Sequence, residues 1–141
     1  MDASRSRLVP ELDVSDLDAS LGFYCAVLGF AVLYTRPAER FAYLDLDGAS
    51  LMIEAAAGPG RRFRTAPLEH PFGRGINLQM EVSDVDSVLE RVVAVGGAPL
   101  VPIEERWYET DRGLVGHRQF VVADPDGYLL RFFQELGARP E

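Results

Sequence analysis

The sequence contains no lysine: all 14 basic residues are arginine, set against 22 acids for a net charge of −8. Chemistry that needs a lysine amine, such as a Schiff base or the phosphate-cradling lysine of a P-loop, is therefore excluded. The acid excess argues against nucleic acid as a partner, because binding a phosphate backbone rests on neutralising it with lysine and arginine. It favours a cationic ligand only weakly, since many proteins are acidic merely to remain in solution. The single cysteine, Cys25, excludes an internal disulfide and any structural zinc site built on two or more thiolates. Long apolar runs are missing too: the longest, Phe23 to Tyr34, is interrupted by Gly29 and falls well short of the roughly 20 residues of a membrane span. The first residues carry arginines with no apolar segment behind them. No secretory leader and no membrane association are therefore expected, and the expected compartment is the cytoplasm.

What is present is ordinary globular composition, 48% hydrophobic and 26% charged over 141 residues. A chain of this size makes one domain and buries about two-thirds of its unfolded surface, enough to fold without a metal or disulfide. An internal repeat organises it. Val14-Ser15-Asp16-Leu17-Asp18 returns as Val82-Ser83-Asp84-Val85-Asp86, with Leu21, Ala26-Val27 and Gly29 answered by Leu89, Ala94-Val95 and Gly97. Asp45-Leu46-Asp47-Gly48 is matched by Asp124-Pro125-Asp126-Gly127. The expected organisation is a single domain, residues 1–141, with module one at about 7–57, a connector rich in proline and glycine at 58–74, and module two at about 75–136.

Each module opens on an alternating run, Leu8 to Val14 and Ile76 to Val82, with the period of a half-buried strand. Asp16 and Asp84 are placed to cap the helices that follow. Leu17, Leu21, Cys25 and Leu28 keep helical spacing in the first, Val85, Leu89, Val92 and Val93 in the second. Glycines Gly29 and Gly96-Gly97 supply the stops. Three short strands then follow in each module: Ala31–Tyr34, Phe41–Leu46 and Ala49–Ala55, then Ala98–Pro102, Arg118–Ala123 and Tyr128–Gln134. Asp47-Gly48 and Asp126-Gly127 make the hairpin turns. The pattern is βαβββ twice, an α+β fold.

Strand alternation puts Glu11, Asp13, Met52, Glu54, Asn77, Gln79, Glu81, Leu129, Arg131 and Phe133 on faces turned away from the helices. A solvated polar face accounts for the acids but poorly for Met52, Leu129 and Phe133, and a mixed polar and apolar wall is typical of small-molecule sites.

These features resemble a known family. The doubled βαβββ pattern, the string from Asp16 to Phe30 (D-L-D-x-S-x-x-F-Y-x-x-V-L-G-F) and that from Asp124 to Arg131 (D-P-D-G-Y-L-L-R) are similar to the vicinal oxygen chelate superfamily. It includes glyoxalase I, extradiol dioxygenases, and fosfomycin- and bleomycin-resistance proteins. The resemblance runs from about Leu8 to Leu136 and implies a curved mixed sheet with helices on the outside. Enzymes of the group hold one divalent metal, and the corresponding positions here are Val9, Glu54, Asn77 and Arg131. Only Glu54 is a good ligand, whereas a catalytic metal normally takes three protein ligands. The expectation is no metal and no cofactor, with Glu54 and Arg131 paired across the cavity in the metal's place. The resemblance is greatest to the metal-free bleomycin-resistance proteins, which sequester a cationic, partly aromatic drug at a dimer interface.

That likeness implies a small-molecule ligand, cationic or aromatic, a homodimer, and a ligand-binding set of Tyr34, Phe41, Glu54, Trp107, Tyr108 and Arg131. The family's stacking tryptophan falls where this chain has Val115-Gly116, and Trp107 lies in what reads as a preceding loop. There it either stacks on ligand or anchors the loop. No catalytic residue is expected. His70 sits in the connector as a turn residue, His117 reads as an edge histidine before a strand, and Cys25 as a core thiol. The alternative is a glyoxalase- or dioxygenase-type lyase or oxidoreductase with a relocated metal site; a resistance-like protein with an unrelated metabolite is a third reading.

Overall fold

A computed structural model of the chain describes residues 6–139; the reading that no leader precedes the fold concerns residues that lie largely outside this range. The chain divides between Phe72 and Gly73 into two units, each a βαβββ module with its own four-stranded mixed sheet. In the first unit the elements are β1 (Glu11–Val14), α1 (Leu17–Leu21) continued by a π-helical segment (Gly22–Val27), β2 (Ala31–Arg36), β3 (Phe41–Leu46) and β4 (Ala49–Ala55). Its strand order is β1-β4-β3-β2, with β1 parallel to β4 and the other pairs antiparallel. In the second unit β5 (Asn77–Glu81), α2 (Val85–Ala94), β6 (Val101–Thr110), β7 (Gly113–Ala123) and β8 (Leu129–Arg139) repeat that plan in the order β5-β8-β7-β6. Among the described residues no helix is long and apolar enough to cross a membrane.

The repeated aspartates act locally as the sequence requires. Asp16 Oδ1 accepts from Ala19 N at 3.1 Å and Asp84 Oδ1 from Ser87 N at 3.2 Å, each satisfying a free donor at a helix start. In the hairpins, Gly48 N donates to Asp45 Oδ2 at 3.3 Å, and Asp124 Oδ1 accepts from Asp126 N and Tyr128 N, both at 2.9 Å. Asp47 and Gly48 both take positive φ, as a two-residue hairpin turn between twisted strands demands.

Each sheet buries one face in its core, and on β3 and β4 the opposite face is buried as well at Phe41, Tyr43 and Glu54. Leu12, Val14, Leu44, Leu51 and Ile53 form the core of the first unit with Tyr24 and Leu28; Val85, Val88, Val92, Phe120, Val122, Leu130 and Phe132 form that of the second. Each such side chain contributes roughly 1.5–3 kcal/mol on burial.

The helices and the third strand differ from the sequence expectation. The first helix buries Ser20, Tyr24 and Leu28, while Leu17, Leu21 and Cys25 are only half-buried. Leu28 N donates to Phe23 O, a bond spanning five residues, so the segment winds more slowly than an α-helix and the apolar stripe shifts in phase. β6 was expected to end near Pro102 but runs to Thr110, so Trp107 and Tyr108 lie on a strand and not in a loop. The polar run from Glu104 to Glu109 hides no alternation of its own. It is held instead by continuous pairing with β7, from Glu104 opposite Gln119 to Thr110 opposite Gly113. The tight turn closes where Thr110 Oγ1 accepts from Arg112 N at 3.0 Å and donates to Gly113 O at 2.7 Å. His117 is accordingly inside β7, not ahead of it.

Candidate functional site

On the first sheet the face opposite Leu12 and Ile53 carries two rows across the strands. One is Asp13, Glu54, Phe41 and Arg36; the other is Glu11, Met52, Tyr43 and Tyr34. Tyr34 stacks on Tyr43 at 5.1 Å and leans on Phe41 at 6.0 Å, and the Arg36 guanidinium lies 3.8 Å above the Phe41 ring. Tyr34 and Phe41 are thus brought together as expected from the sequence. Phe41 is buried beneath its neighbours and Tyr34 is the partly open ring.

Glu54 is only 2% exposed, and its cation comes from the connector. Arg62 donates to Glu54 Oε1 and to the Ala55 carbonyl, with its Nε 3.6 Å from Asp13. Arg64 adds a 2.7 Å bond to Asp13 and another to the Ala56 carbonyl. The connector passes so close that a β-carbon on Gly60 would meet the Glu54 carboxylate and the Arg62 guanidinium, and a larger residue there would displace that pair. Burial pushes the Glu54 carboxyl above its ordinary range; Arg62 and Arg36 pull it back, while the neighbouring Glu11 adds to the rise. Beside Glu54 opens a cavity of about 300 Å³ lined by Glu11, Arg36, Glu39, Glu54, Arg61 and Phe63. Its wall mixes acids, arginines and one exposed ring.

On the second sheet Tyr108, Gln119, Phe133 and Arg131 share one face with Glu81, Gln79 and Glu104. Gln119 Nε2 donates to Glu104 Oε1 at 3.1 Å and to the Tyr108 hydroxyl at 2.6 Å, and Arg131 donates to Gln79 Oε1. Trp107 alternates onto the other face, with Glu105 and Arg118. It lies flat on its cross-strand partner Gly116, where a β-carbon would approach the ring to 2.7 Å, and the Arg139 guanidinium covers it at 3.8 Å. The hairpin therefore carries Trp107 to the Val115-Gly116 position from which it is separated in sequence, but not onto the face of Tyr108 and Arg131. Cys25 is half-buried and its thiol is pushed up by burial, which suits an inert core thiol.

A model of the Glyoxalase/Bleomycin resistance protein/Dioxygenase superfamily matches residues 9–132. The chain belongs to that superfamily. Within the superfamily it is 27% identical over 135 residues to a bleomycin resistance protein of Geobacillus stearothermophilus, covering 91% of this chain and 96% of that one. A bleomycin resistance protein of Staphylococcus aureus matches equally. Among solved structures it is similar to TioX from Micromonospora sp. ML1, with 28% identity, a TM-score of 0.72, and coverage of 93% of this chain and 99% of that one.

Superfamily enzymes carry a divalent metal, and the residues present here do not fit one. Val9 has no donor atom, Glu54 is engaged by Arg62, and Arg131 is a permanent cation bonded to Gln79. Among the described residues no group of three or more His, Cys, Asp or Glu side chains is gathered to hold an ion. Glu54 and Arg131 each take a hydrogen-bond partner within their own unit, Arg62 and Gln79. The sequence reading missed Arg62 and Arg64, whose only signal was basic residues in a segment read as a spacer. It also gave Gln119 no role, because a lone glutamine in an alternating strand carries no mark of its hydrogen bonds.

Proposed function

We propose that this protein is a metal-independent binding protein of bleomycin-resistance type, a single domain of two modules that sequesters a cationic or planar aromatic compound. The observation that carries the proposal is the replacement of the metal position by an ion pair. Glu54 is neutralised by an internal guanidinium, so the acids and rings around it are free to serve binding rather than catalysis. The near full-length similarity to proteins named for bleomycin resistance supports the same reading. In the first unit Tyr34 offers aromatic surface and Glu11 and Glu39 a negative wall beside the Glu54 pair; in the second, Tyr108 offers a ring and Arg131 a fixed donor. We further propose a cytoplasmic homodimer. Support for pairing comes from β2, a sheet edge on which Val32 and Leu33 are 45% and 47% exposed, since open apolar edges are normally covered.

The test is calorimetric titration of metal-free bleomycin into purified protein, with metal content read by plasma mass spectrometry and mass by light scattering. Saturable binding without stoichiometric metal, by a dimer, is expected, and a bound ligand should raise the melting temperature. One zinc, nickel or iron per chain held by Glu54, together with turnover of a substrate, would overturn the proposal in favour of an enzyme.

A further inference from the structure

The connector is held on the first sheet by side chains. From Pro59 to Thr65 its backbone forms no hydrogen bond to other backbone among the described residues. Every residue from Arg61 to His70 is exposed except Arg62, whose side chain is 11% exposed. Two arginines fasten the strap. Arg62 donates through Nη1 to Glu54 and through Nη2 to the Ala55 carbonyl, and Arg64 donates to Asp13 and to the Ala56 carbonyl, each at 2.7 Å. A segment with so little backbone bonding and buried apolar surface opens locally at low cost.

The seat under Arg62 is built to receive a planar fork. Glu54 Oε1 and the Ala55 carbonyl are separate acceptors, met by two different nitrogens of one guanidinium. A guanidinium or amidinium spans two such acceptors, whereas an ammonium is a compact point charge. The tethered group leaves its own contacts incomplete. Arg62 Nε is buried without a hydrogen-bond partner among the described residues, 3.6 Å from Asp13 Oδ1. The cavity of about 300 Å³ opens directly at Glu54, and its opposite wall is the strap itself, at Arg61 and Phe63. A group lodged in that cavity therefore lies beside the Glu54–Arg62 pair.

We propose that these acceptors form a binding site for a guanidinium or amidinium group of the ligand, and that Arg62 is a displaceable occupant which fills the site until such a group replaces it. The proposal rests on the binding reading above and narrows its cation to the fork-shaped class. Replacement of one guanidinium by another keeps buried Glu54 neutralised, so no bare carboxylate is left in the interior. Arg62 competes at the effective concentration of a short tether, on the order of millimolar. A small lone cation displaces it poorly, and a ligand with further contacts to Glu11 and Arg36 in the cavity displaces it better.

Benzamidine, an aromatic amidinium, and benzylamine, its ammonium counterpart, are the probes, read by calorimetry and thermal melting on the full chain. Arg62→Ala empties the seat, so it should bind benzamidine about tenfold more tightly than wild type does. The probe should also restore part of the melting temperature that the substitution removes. Benzylamine should bind this variant roughly tenfold more weakly than benzamidine. Arg64→Ala removes the second fastening of the strap while Glu54 keeps its cation. By enlarging the open fraction it should tighten benzamidine roughly three- to tenfold over wild type, and where Arg62→Ala folds poorly it carries the test. Equal benzamidine affinity in all three proteins would put the probe elsewhere and overturn the proposal, as would no binding to either variant. Benzylamine binding as tightly as benzamidine would overturn the fork assignment. Metal-free bleomycin on wild type separates the proposal from the reading beneath it. If bleomycin binds saturably while neither variant takes benzamidine, the site falls and the binding reading stands. If bleomycin fails while Arg62→Ala takes benzamidine, the binding reading falls and the site stands.

Discussion

Gly116→Ala tests the seat of Trp107 directly. The added β-carbon would stand 2.7 Å from two atoms of the indole and 2.8 Å from a third, against roughly 3.5–4.0 Å for an ordinary carbon contact. The ring must therefore move outward by about 1 Å, and it cannot do so freely because the Arg139 guanidinium lies 3.8 Å over its other side. Losing that stack costs about 0.5–1 kcal/mol at a partly exposed site. Crowding the strand pair costs about 1–3 kcal/mol where nothing yields, and toward the low end here because the indole is partly exposed. Replacing glycine within a strand returns about 0.5–1 kcal/mol. The expected net loss is about 1–2 kcal/mol, or a melting temperature lower by roughly 3–8 °C for a chain of this size. Trp107 is the sole tryptophan, so its emission should shift to the red in the same variant. Within the Trp107→Ala background the same substitution should be close to neutral, since the two sites share one contact. A Gly116→Ala protein with unchanged emission and undiminished melting temperature would refute the packing of Trp107 on Gly116.

Arg62→Ala should destabilise by about 2–4 kcal/mol in urea unfolding, because it strips the cation from buried Glu54; a loss below about 0.5 kcal/mol would mean that the pair is not seated as described. The pH dependence follows from the raised Glu54 carboxyl. The folded state holds that proton more tightly than the unfolded chain, so the contribution is fully present below the unfolded value of about 4.3 and is lost as pH rises through the folded one. Glu54→Gln should therefore gain in relative melting temperature between acid and neutral pH, and a gain that shrinks over that interval would contradict the shift. Asp84→Ala removes the cap at the start of α2 and should cost about 1 kcal/mol by thermal melting. No loss there would argue that the Ser87 amide finds another acceptor.

The fold was legible where local chemistry repeats. The two aspartate caps, the two Asp-Gly turns and the strand alternation of Phe41–Leu46 and Ala49–Ala55 each rest on a few neighbouring residues, and each appears at its expected place. What escaped depends on partners distant in sequence. β6 beyond Pro102 is polar and unpatterned, and only its ladder with β7 makes it a strand. The phase of the first helix depends on a π-type bond that helical spacing assumes away. At the site, Glu54 came out of face alternation and Tyr34 and Phe41 out of the family resemblance alone, whereas Arg62 reaches Glu54 from eight residues downstream through a turn that no periodicity describes. Trp107 shows the limit from the other side. Its chemistry was evident, but the parity that separates it from Tyr108 only has meaning once both are known to share a strand.

The segment Gly22–Val27 is also a reservoir of chain length. A π-type turn stores about one residue more than an α-helix of the same rise, so this stretch could lose a residue and still close on itself. The helix it continues is pinned at its start by the Asp16 cap, and the segment is held at its end by the burial of Leu28 and the edge-on contact of Tyr24 with Phe30 at 5.5 Å. Shortening it would rotate everything upstream by about 100° around the helix axis. Ser20, whose hydroxyl is now buried, would be carried out from under the sheet, with leucine at Leu17 or Leu21 turning inward in its place. The extra residue in this winding is what keeps a serine in the core and leaves two leucines half-open.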